Sequence, residues 1–185
     1  MGAIYLFTGD GAGKTTNALG LALRCIGHRK KVVMIQFMKW WKNTGEYKIQ
    51  ELLKPYYEVY QFGRPGWLKI SKKGEARFGK YKFRVRNIDE LDREFALKGL
   101  KFAKEVMKKK KPDLLILDEI NLACHAGLLK VKEVLDLLKK IPKKTTVVLT
   151  GRKAPKALIK SADYVNEIIA RKFPKKTLAV KGIQY

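Results

Sequence analysis

The residues best suited to chemistry lie in one glycine-rich stretch near the start of the chain, Thr8-Gly9-Asp10-Gly11-Ala12-Gly13-Lys14-Thr15-Thr16. This stretch follows a short apolar run and precedes an apolar pattern typical of a helix. Backbone N–H groups of such a loop turn toward phosphate oxygens, and the helix N-terminus adds its dipole. Lys14 supplies a positive charge, and Thr15 supplies a hydroxyl for Mg²⁺. We therefore predict a phosphate-binding loop with contacts from residues 9–16, although the usual spacing puts glycine at position 8, where this chain has threonine.

A second chemical signal is a pair of carboxylates, Asp118 and Glu119, directly after the apolar run Leu114-Leu115-Ile116-Leu117. The Mg²⁺ side of a phosphate-loop site needs acidic residues at the end of such a strand. By itself, an acid pair in this place is also typical of a helix-capping turn. With the phosphate loop upstream, we predict that Asp118 or Glu119 holds the metal or its water, together with Thr15.

A third signal is Thr150-Gly151-Arg152, again at the carboxyl end of an apolar run. Open α/β sheets bind ligands at the carboxyl ends of their strands. Arg152 could therefore clamp a phosphate through two parallel hydrogen bonds. A surface arginine in a turn is the alternative interpretation.

The elements that must position these residues follow an alternating pattern typical of an α/β protein. Apolar runs alternate with helical patterns, and the runs span 4–7, 32–37, 59–62, 114–117, 147–149 and 165–169. Runs that are apolar on both faces indicate strands of a mostly parallel sheet with helices on both faces. No linker is visible, so we expect one phosphate-loop domain over residues 1–185.

The longest predicted helix precedes the run that ends at Asp118. Its apolar residues share one face at helical spacing and are Ile88, Leu91, Phe95, Phe102 and Val106. Asn87 or Asp89 can cap its start, and Pro112 ends it. Residues 108–111, all lysine, suit the dipole at the end of the helix and indicate a solvated surface.

Residues 63–86 interrupt the pattern, because they contain no clear strand or helix. This segment carries nine cations and the single acid Glu75. Long loops in compact domains are usually functional, so we expect it to lie over the active site. Trp40 and Trp41 follow the second apolar run; core packing is the default interpretation, and a flat apolar ligand is the alternative.

The composition limits the partners and the location of the protein. The chain has 185 residues and a formal net charge of +24, which favours an anionic partner such as nucleic acid, acidic lipid or polyphosphate. Its two cysteines cannot build a disulfide framework. No apolar run approaches the length of a membrane span, and no secretory signal is visible. We therefore expect a cytoplasmic protein.

Together these residues resemble the P-loop type of corrinoid adenosyltransferase, the cob(I)yrinic acid a,c-diamide adenosyltransferase family. The resemblance covers almost the whole chain. Besides the phosphate loop it includes Gln36-Phe37-Met38-Lys39, Gly45-Glu46, Leu117-Asp118-Glu119, Thr150-Gly151-Arg152, Ala162-Asp163-Tyr164-Val165-Asn166-Glu167 and Gly182-Ile183-Gln184-Tyr185. The first glycine at position 9 is itself a feature of that family's loop.

The resemblance implies a RecA-like P-loop NTPase fold and an enzyme that transfers the 5′-deoxyadenosyl group of ATP to the Co(I) of a corrinoid. Triphosphate leaves, in the synthesis or salvage of adenosylcobalamin. Lys14, Thr15, Glu119 and Arg152 would be the catalytic residues, and Mg²⁺ or Mn²⁺ the cofactor, held by Thr15, Asp118 and Glu119. Cobalamin, cobinamide and cobyrinic acid a,c-diamide are the candidate corrinoids. A homodimer and a flavodoxin-like electron donor are also implied.

The family's aromatic side chains near the corrinoid are matched in part. Trp67 corresponds to the tryptophan of that pattern, whereas Pro65 stands where a phenylalanine is expected, and Phe62 is the nearest alternative. Relatives often carry an N-terminal segment that folds over the site, but here only Met1 and Gly2 precede the apolar stretch that begins at Ala3. Closure would then come from residues 63–86, or the site would stay open.

Three other functions remain open from the residues. The net charge and the basic, aromatic-containing stretch 64–86 allow a nucleic-acid-dependent P-loop ATPase. A thymidine kinase also combines a Gly-Lys-Thr loop with Asp-Glu, but two isolated cysteines cannot supply its usual zinc site. A non-catalytic ATP-binding regulator is the third. We expect no specific nucleic acid and no membrane as partner.

Overall fold

The elements alternate between strands and helices along the part of the chain that the computed structural model describes: residues 2–68, 76–78, 81–83, 85–172, 180–183 and 185. The strands are β1 (Ile4–Thr8), β2 (Val32–Phe37), β3 (Tyr57–Phe62), β4 (Trp67–Leu68), β5 (Ala76–Phe78), β6 (Tyr81–Phe83), β7 (Val85–Arg86), β8 (Leu114–Asp118), β9 (Thr146–Thr150) and β10 (Tyr164–Glu167). The helices are α1 (Lys14–Gly27), α2 (Gly45–Lys48), α3 (Gln50–Leu53), α4 (Glu90–Lys109), α5 (Ile120–His125), α6 (Val131–Leu138) and α7 (Lys156–Ser161).

Six of the strands form one parallel sheet in the order β10-β1-β9-β8-β2-β3. Every neighbouring pair in it is parallel. This confirms the predicted α/β class and the mostly parallel sheet. Because all six strands run the same way, their carboxyl ends lie at one edge, where the phosphate loop and the Asp118-Glu119 pair both stand.

Side chains of the central strands alternate between two hydrophobic cores, one on each face of the sheet. On one face, Leu114 and Ile116 pack with Ala18 and Ala22 of α1. On the other face, Leu115 and Leu117 of β8 join a larger core with side chains of α4, α5, α6 and α7. Both faces are therefore covered by helices, as predicted, and this explains the long apolar runs in the central strands.

Strand β10 ends earlier than predicted. The apolar run suggests a strand over 165–169, but β10 stops at Glu167. The Ile168 N–H donates to Thr8 O at 2.9 Å, and the Ile168 carbonyl accepts from the Gly11 N–H at 2.7 Å. Its backbone groups are thus used to hold the phosphate loop.

Helix α4 begins where a capping box forms between Asp89 and Asp92. This selects Asp89 over Asn87 as the cap. The predicted apolar face is partly wrong, because Leu91 is exposed while Asp92, Ala96 and Leu100 lie on the buried face. On this buried face the Asp92 carboxylate meets Arg64 and Arg86, as described below. At the other end, Lys110 contacts Glu58 of β3, and the neighbouring lysines are exposed.

The prediction that residues 63–86 contain no regular structure is wrong. Strands β4 and β7 pair in parallel, and β5 and β6 pair antiparallel. These strands have two or three residues each, too short to give a recognisable apolar pattern. Residues 69–75, 79–80 and 84 lie outside the described part of the chain. The expectation that the segment covers the active site depends on these residues and therefore stays a prediction. Among the described residues, no helix has the length and apolarity needed to cross a membrane.

Candidate active site

The phosphate loop lies between β1 and α1, at the carboxyl edge of the sheet. Lys14 is 7% exposed, and its Nζ donates to the carbonyls of Gly9 and Gly11 at 2.8 and 2.6 Å. The loop therefore curls around the ammonium group. Burial and the nearby Arg152 lower the pKa of Lys14, while Glu119 and Asp10 partly offset them. An anionic ligand at this place would favour the charged ammonium, because it would supply the counter-charge.

Gly9 and Gly11 allow the chain after β10 to approach the loop closely. A Cβ atom at Gly9 would lie 2.5 Å from Ile168 O, and one at Gly11 would lie 2.7 Å from the same atom. The Gly11 N–H already donates to this carbonyl. These two glycines thus serve the packing of the loop, and the Gly11 N–H is engaged within the protein. Three other predicted contacts, Asp10, Ala12 and Thr16, are exposed.

The threonine at the unusual position has a role of its own. Thr8 is the last residue of β1, and its Oγ1 accepts a hydrogen bond from the Ala154 N–H at 3.2 Å. Ala154 belongs to the turn after β9 that carries Arg152. A glycine at position 8 would lose this tie between the phosphate loop and the arginine turn.

Asp118 is the most heavily hydrogen-bonded group of the site. It is fully buried, and its Oδ1 accepts from the hydroxyls of Thr15 at 2.9 Å and Thr150 at 2.6 Å. Its Oδ2 accepts from Gln36 Nε2 at 3.0 Å and from Lys39 Nζ at 2.8 Å. Burial alone would raise the pKa of Asp118, but Lys39 and the hydrogen bonds outweigh it and lower that pKa. The Asp118 carboxylate is therefore ionised.

The neighbouring carboxylate of Glu119 has the opposite environment. Its Oε2 is buried and has no hydrogen-bond partner. Burial and the charge of Asp118 raise the pKa of Glu119, against the opposing effects of Lys39, Lys14 and Arg152. The Glu119 backbone adopts a φ of 62°, uncommon for a residue other than glycine, and its N–H donates to Thr150 Oγ1. An oxygen left in this state would be stabilised by a cation.

A divalent cation fits these residues. Thr15, Asp118 and Glu119 offer a hydroxyl and carboxylate oxygens, the hard donors that Mg²⁺ prefers. Within the described residues, no group of three His, Cys, Asp or Glu side chains is arranged to hold a metal ion. Such a site would need further oxygens from the phosphates of a ligand, as Mg²⁺ sites in phosphate-binding proteins commonly do.

Arg152 lies in the turn after β9, as the sequence predicts, and its side chain is exposed. Its charge contributes to the lowered pKa of Lys14 and opposes the rise in the pKa of Glu119, so Arg152 lies near both groups. The turn is held from the inside by Asn121, whose Nδ2 donates to Phe7 O and Gly151 O, both at 3.3 Å.

Three further polar residues, Gln36, Lys39 and Glu46, line the site, and the sequence alone assigns them no chemical role. Gln36 Nε2 donates to Glu46 Oε1 at 3.2 Å as well as to Asp118, and Lys39 Nζ lies 3.6 Å from Glu46 Oε1. Gln36 stands opposite Asp118 in the β2–β8 register and opposite Gln61 in the β2–β3 register. Gln36, Lys39 and Glu46 lie in motifs that carry the family resemblance. The contacts of Gln36 and Lys39 with Asp118 arise because β2 and β8 are neighbours in the sheet, which the motifs alone do not reveal.

A pocket of about 520 Å³ opens beside Thr15, one of the candidate metal ligands. Thr15, Lys39 and Glu46 form its polar end, and apolar side chains of α1 and α3 form its walls together with Ile183 and Tyr185. The Tyr185 ring packs against Trp41, with 5.1 Å between ring centroids. Trp41 is half-buried and belongs to neither hydrophobic core, so this contact does not confirm the default interpretation of core packing.

The two aromatic candidates for the corrinoid side differ in how they are placed. Trp67 begins β4, and its backbone pairs with Val85 of β7; its side chain lies outside the described atoms. Phe62 packs against Phe102 of α4, at 5.4 Å between ring centroids, and against Gly99. Phe62 therefore has a structural role in the core.

Comparisons with known proteins identify the family that this chain resembles along its whole length. The model of the family described as ATP:corrinoid adenosyltransferase BtuR/CobO/CobP matches residues 1–185. The corrinoid adenosyltransferase of Escherichia coli strain K12 is 30% identical over 186 residues, which cover 100% of this chain and 86% of the relative. A corrinoid adenosyltransferase from Sinorhizobium sp is 33% identical over 187 residues, covering 100% of this chain and 80% of the relative.

Among solved structures, the flagellar accessory protein FlaH from Methanocaldococcus jannaschii is similar with a TM-score of 0.52 and 16% identity. The similarity covers 89% of this chain and 70% of that one. At this identity the likeness concerns the fold alone, and it agrees with the predicted RecA-like P-loop fold. The match of the family model along the entire chain, with the full-length similarity to these relatives, shows that the protein belongs to the ATP:corrinoid adenosyltransferase family.

Proposed function

We propose that this protein transfers the 5′-deoxyadenosyl group of ATP to the Co(I) centre of a corrinoid and releases inorganic triphosphate. The observation that carries the proposal is the cluster of Lys14, Thr15 and Asp118 at the phosphate loop of a chain that belongs to this family. In this cluster Lys14 supplies a positive charge for a leaving polyphosphate, and Thr15 and Asp118 supply oxygen atoms for its divalent cation.

The proposed reaction balances without a proton transfer. The electron pair of Co(I) forms the bond to the 5′ carbon of ATP, the bond between that carbon and its oxygen breaks, and its electron pair leaves on the triphosphate. The protein must therefore hold the two substrates and stabilise the charge that develops on the leaving oxygen. Lys14 and Arg152 are the cations that we assign to the triphosphate, since both charges act on the same loop.

We assign Thr15, Asp118 and Glu119 to Mg²⁺ or Mn²⁺. The support is the buried, unpartnered Glu119 Oε2 beside the Thr15–Asp118 hydrogen bond. When bound, such an ion neutralises part of the charge of the triphosphate. Asp118, held from four sides, keeps the Thr15 hydroxyl oriented in this arrangement.

For the corrinoid we propose Trp67 as a contact on the lower face, from the resemblance of residues 62–67 to the family pattern. Cobalamin, cobinamide and cobyrinic acid a,c-diamide are the proposed substrates, in the synthesis or salvage of adenosylcobalamin. From the resemblance alone we also propose a cytoplasmic homodimer that receives its electron from a flavodoxin-like donor.

The test is an assay of the purified protein with ATP, Mg²⁺ and chemically reduced cobalamin, followed by visible spectroscopy in the dark. The proposal expects the spectrum of adenosylcobalamin. Illumination should change it to that of Co(II) cobalamin, because light breaks the new cobalt–carbon bond homolytically. Omission of ATP gives the control spectrum. No change of spectrum with all components present would contradict the proposal.

A further inference from the structure

The position of Lys39 is fixed by an unusual backbone path after β2. Met38 has a φ of 60°, a left-handed conformation that is costly for a residue with a side chain. Its N–H donates to Phe62 O at 2.8 Å. Gly63 lies so close that a Cβ there would be 2.7 Å from Lys39 N. This path brings the Lys39 side chain back over the end of the sheet to Asp118.

All acceptor positions of Asp118 are in use. An ionised carboxylate offers about four lone-pair sites, and Asp118 receives two hydroxyls on Oδ1 and Gln36 and Lys39 on Oδ2. A cation that approaches Asp118 must therefore displace a donor or stay in an outer shell.

Lys39 is the donor best able to leave. Gln36 and Thr150 are fully buried within β2 and β9. The Lys39 side chain is 29% exposed, lines the open pocket next to Thr15, and has Glu46 as a second partner at 3.6 Å. Its long stem can change rotamer without moving a strand. Two cations on one buried carboxylate would also repel each other, so a divalent ion and the Lys39 ammonium compete for Asp118.

We propose that Lys39 is the resident counter-cation of the nucleotide-free site, occupying the Asp118 face that a divalent ion needs, so that the metal binds together with the nucleotide. The phosphates bring the negative charge that attracts the released ammonium and the further oxygens that complete the metal's shell. Lys39 in this way keeps the buried Asp118 compensated when no metal is present. The inference rests on the proposed function only in the identity of the metal and the nucleotide that bind at this site.

The experiment is a titration of the nucleotide-free protein with Mn²⁺, followed by the electron paramagnetic resonance signal of free Mn²⁺. Wild type is compared with Lys39→Met, which keeps an apolar stem without charge, and with Lys39→Arg as the charge-retaining control. Lys39→Met should bind Mn²⁺ about 10-fold to 100-fold more tightly than wild type, the range by which groups around a metal alter its affinity. Lys39→Arg should bind like wild type. In Lys39→Met with Asp118→Asn the gain should disappear.

A melting experiment tests the same point through stability. Without Lys39, Asp118 is a buried charge without a cation, so Mg²⁺ should raise the melting temperature of Lys39→Met more than that of wild type. If Lys39→Met folds only with Mg²⁺ present, the proposal is supported. Lys39→Gln, which can still donate one hydrogen bond to Asp118, provides a second neutral variant for the Mn²⁺ titration if Lys39→Met does not fold.

Equal Mn²⁺ affinity of wild type and the neutral variants would overturn the proposal, and so would a gain that persists in the Asp118→Asn background. Neither readout involves adenosyl transfer. A failure here is therefore distinguishable from a failure of the proposed reaction, which the cobalamin assay tests separately.

Discussion

The hydroxyl of Thr15 donates a 2.9 Å hydrogen bond to Asp118 Oδ1 and so joins the first turn of α1 to the carboxyl end of β8. The two residues are 103 positions apart in the chain. The strand order brings the phosphate loop and the acid pair into one site, because β1 and β8 are both neighbours of β9 in the sheet. The hydrogen bond then connects the two segments directly.

Replacement of Lys14 by alanine should abolish most activity. Its ammonium is held inside the loop by Gly9 O and Gly11 O, where polyphosphate oxygens would meet it. The loss of one preorganised donor typically costs about 3 kcal/mol, or about 100-fold in kcat. Steady-state rates with reduced cobalamin measure this, and Lys104→Ala, on the exposed side of α4, is the matched control. Turnover of Lys14→Ala at the control rate would remove Lys14 from the site.

The two carboxylates should respond oppositely in unfolding experiments without metal. Asp118→Asn removes a buried charge that four donors stabilise, so we expect a loss of about 3 kcal/mol in the free energy of unfolding. Glu119→Gln removes a carboxylate whose raised pKa shows that its charge destabilises the fold, and should increase that free energy at neutral pH. Urea titrations at pH 7 measure both.

The Mg²⁺ dependence of activity tests whether Glu119 is a ligand of the cation. Glu119→Gln should remain folded and require a higher Mg²⁺ concentration for half-maximal activity, because the unpartnered Oε2 becomes part of a neutral amide. An unchanged Mg²⁺ requirement in Glu119→Gln would exclude Glu119 as a ligand.

The connection between α4 and residues 64–86 should be pH-dependent. Arg86 donates to both oxygens of Asp92 at 2.5 Å, and Arg64 Nε donates to Asp92 Oδ1 at 3.0 Å. Burial would raise the pKa of Asp92, but these arginines lower it well below its usual value. The stability from this group is therefore present above the unfolded pKa of about 4 and is lost as the pH falls.

We expect Asp92→Asn to lower the free energy of unfolding by about 2 kcal/mol at pH 7, since it removes charge-assisted hydrogen bonds. The difference from wild type should shrink as the pH is lowered below about 5. Glu90→Gln, an exposed acid in the same helical turn, is the control for the helix dipole. A difference that stays constant down to acid pH would contradict the assigned role of the Asp92 charge.

Trp67 and Phe62 should give different phenotypes. If Trp67 presses on the lower corrinoid face, Trp67→Ala should weaken the four-coordinate Co(II) signal and slow the assay that starts from Co(II). It should do less harm when preformed Co(I) is supplied. Phe62→Ala should mainly lower the melting temperature, because its ring packs on Phe102. Equal losses from both starting states, with lowered stability, would make Trp67 a packing residue.

The sequence predicts the sheet well because its central strands β2, β8 and β9 are mostly buried and rich in apolar residues. The phosphate loop and the acid pair are also predictable, since each has its chemical signature within a few neighbouring residues. Gln36 and Glu46 have no such local signature. Their role depends on the register that places Gln36 opposite Asp118. Strands β4 to β7 are too short for an apolar period. The burial of Asp92 in α4 is not predictable either, because one of its partners, Arg64, is 28 positions away in the chain.

The phosphate product of the complete reaction tests the central claim most directly. With ATP, Mg²⁺ and Co(I) corrinoid, phosphorus NMR should show inorganic triphosphate in equimolar amount to the adenosylated corrinoid, because the bond that breaks joins the 5′ carbon to oxygen. Without reduced corrinoid, ATP should remain intact. Formation of ADP and phosphate, stimulated by DNA or RNA, would contradict the account and establish a nucleic-acid-dependent ATPase.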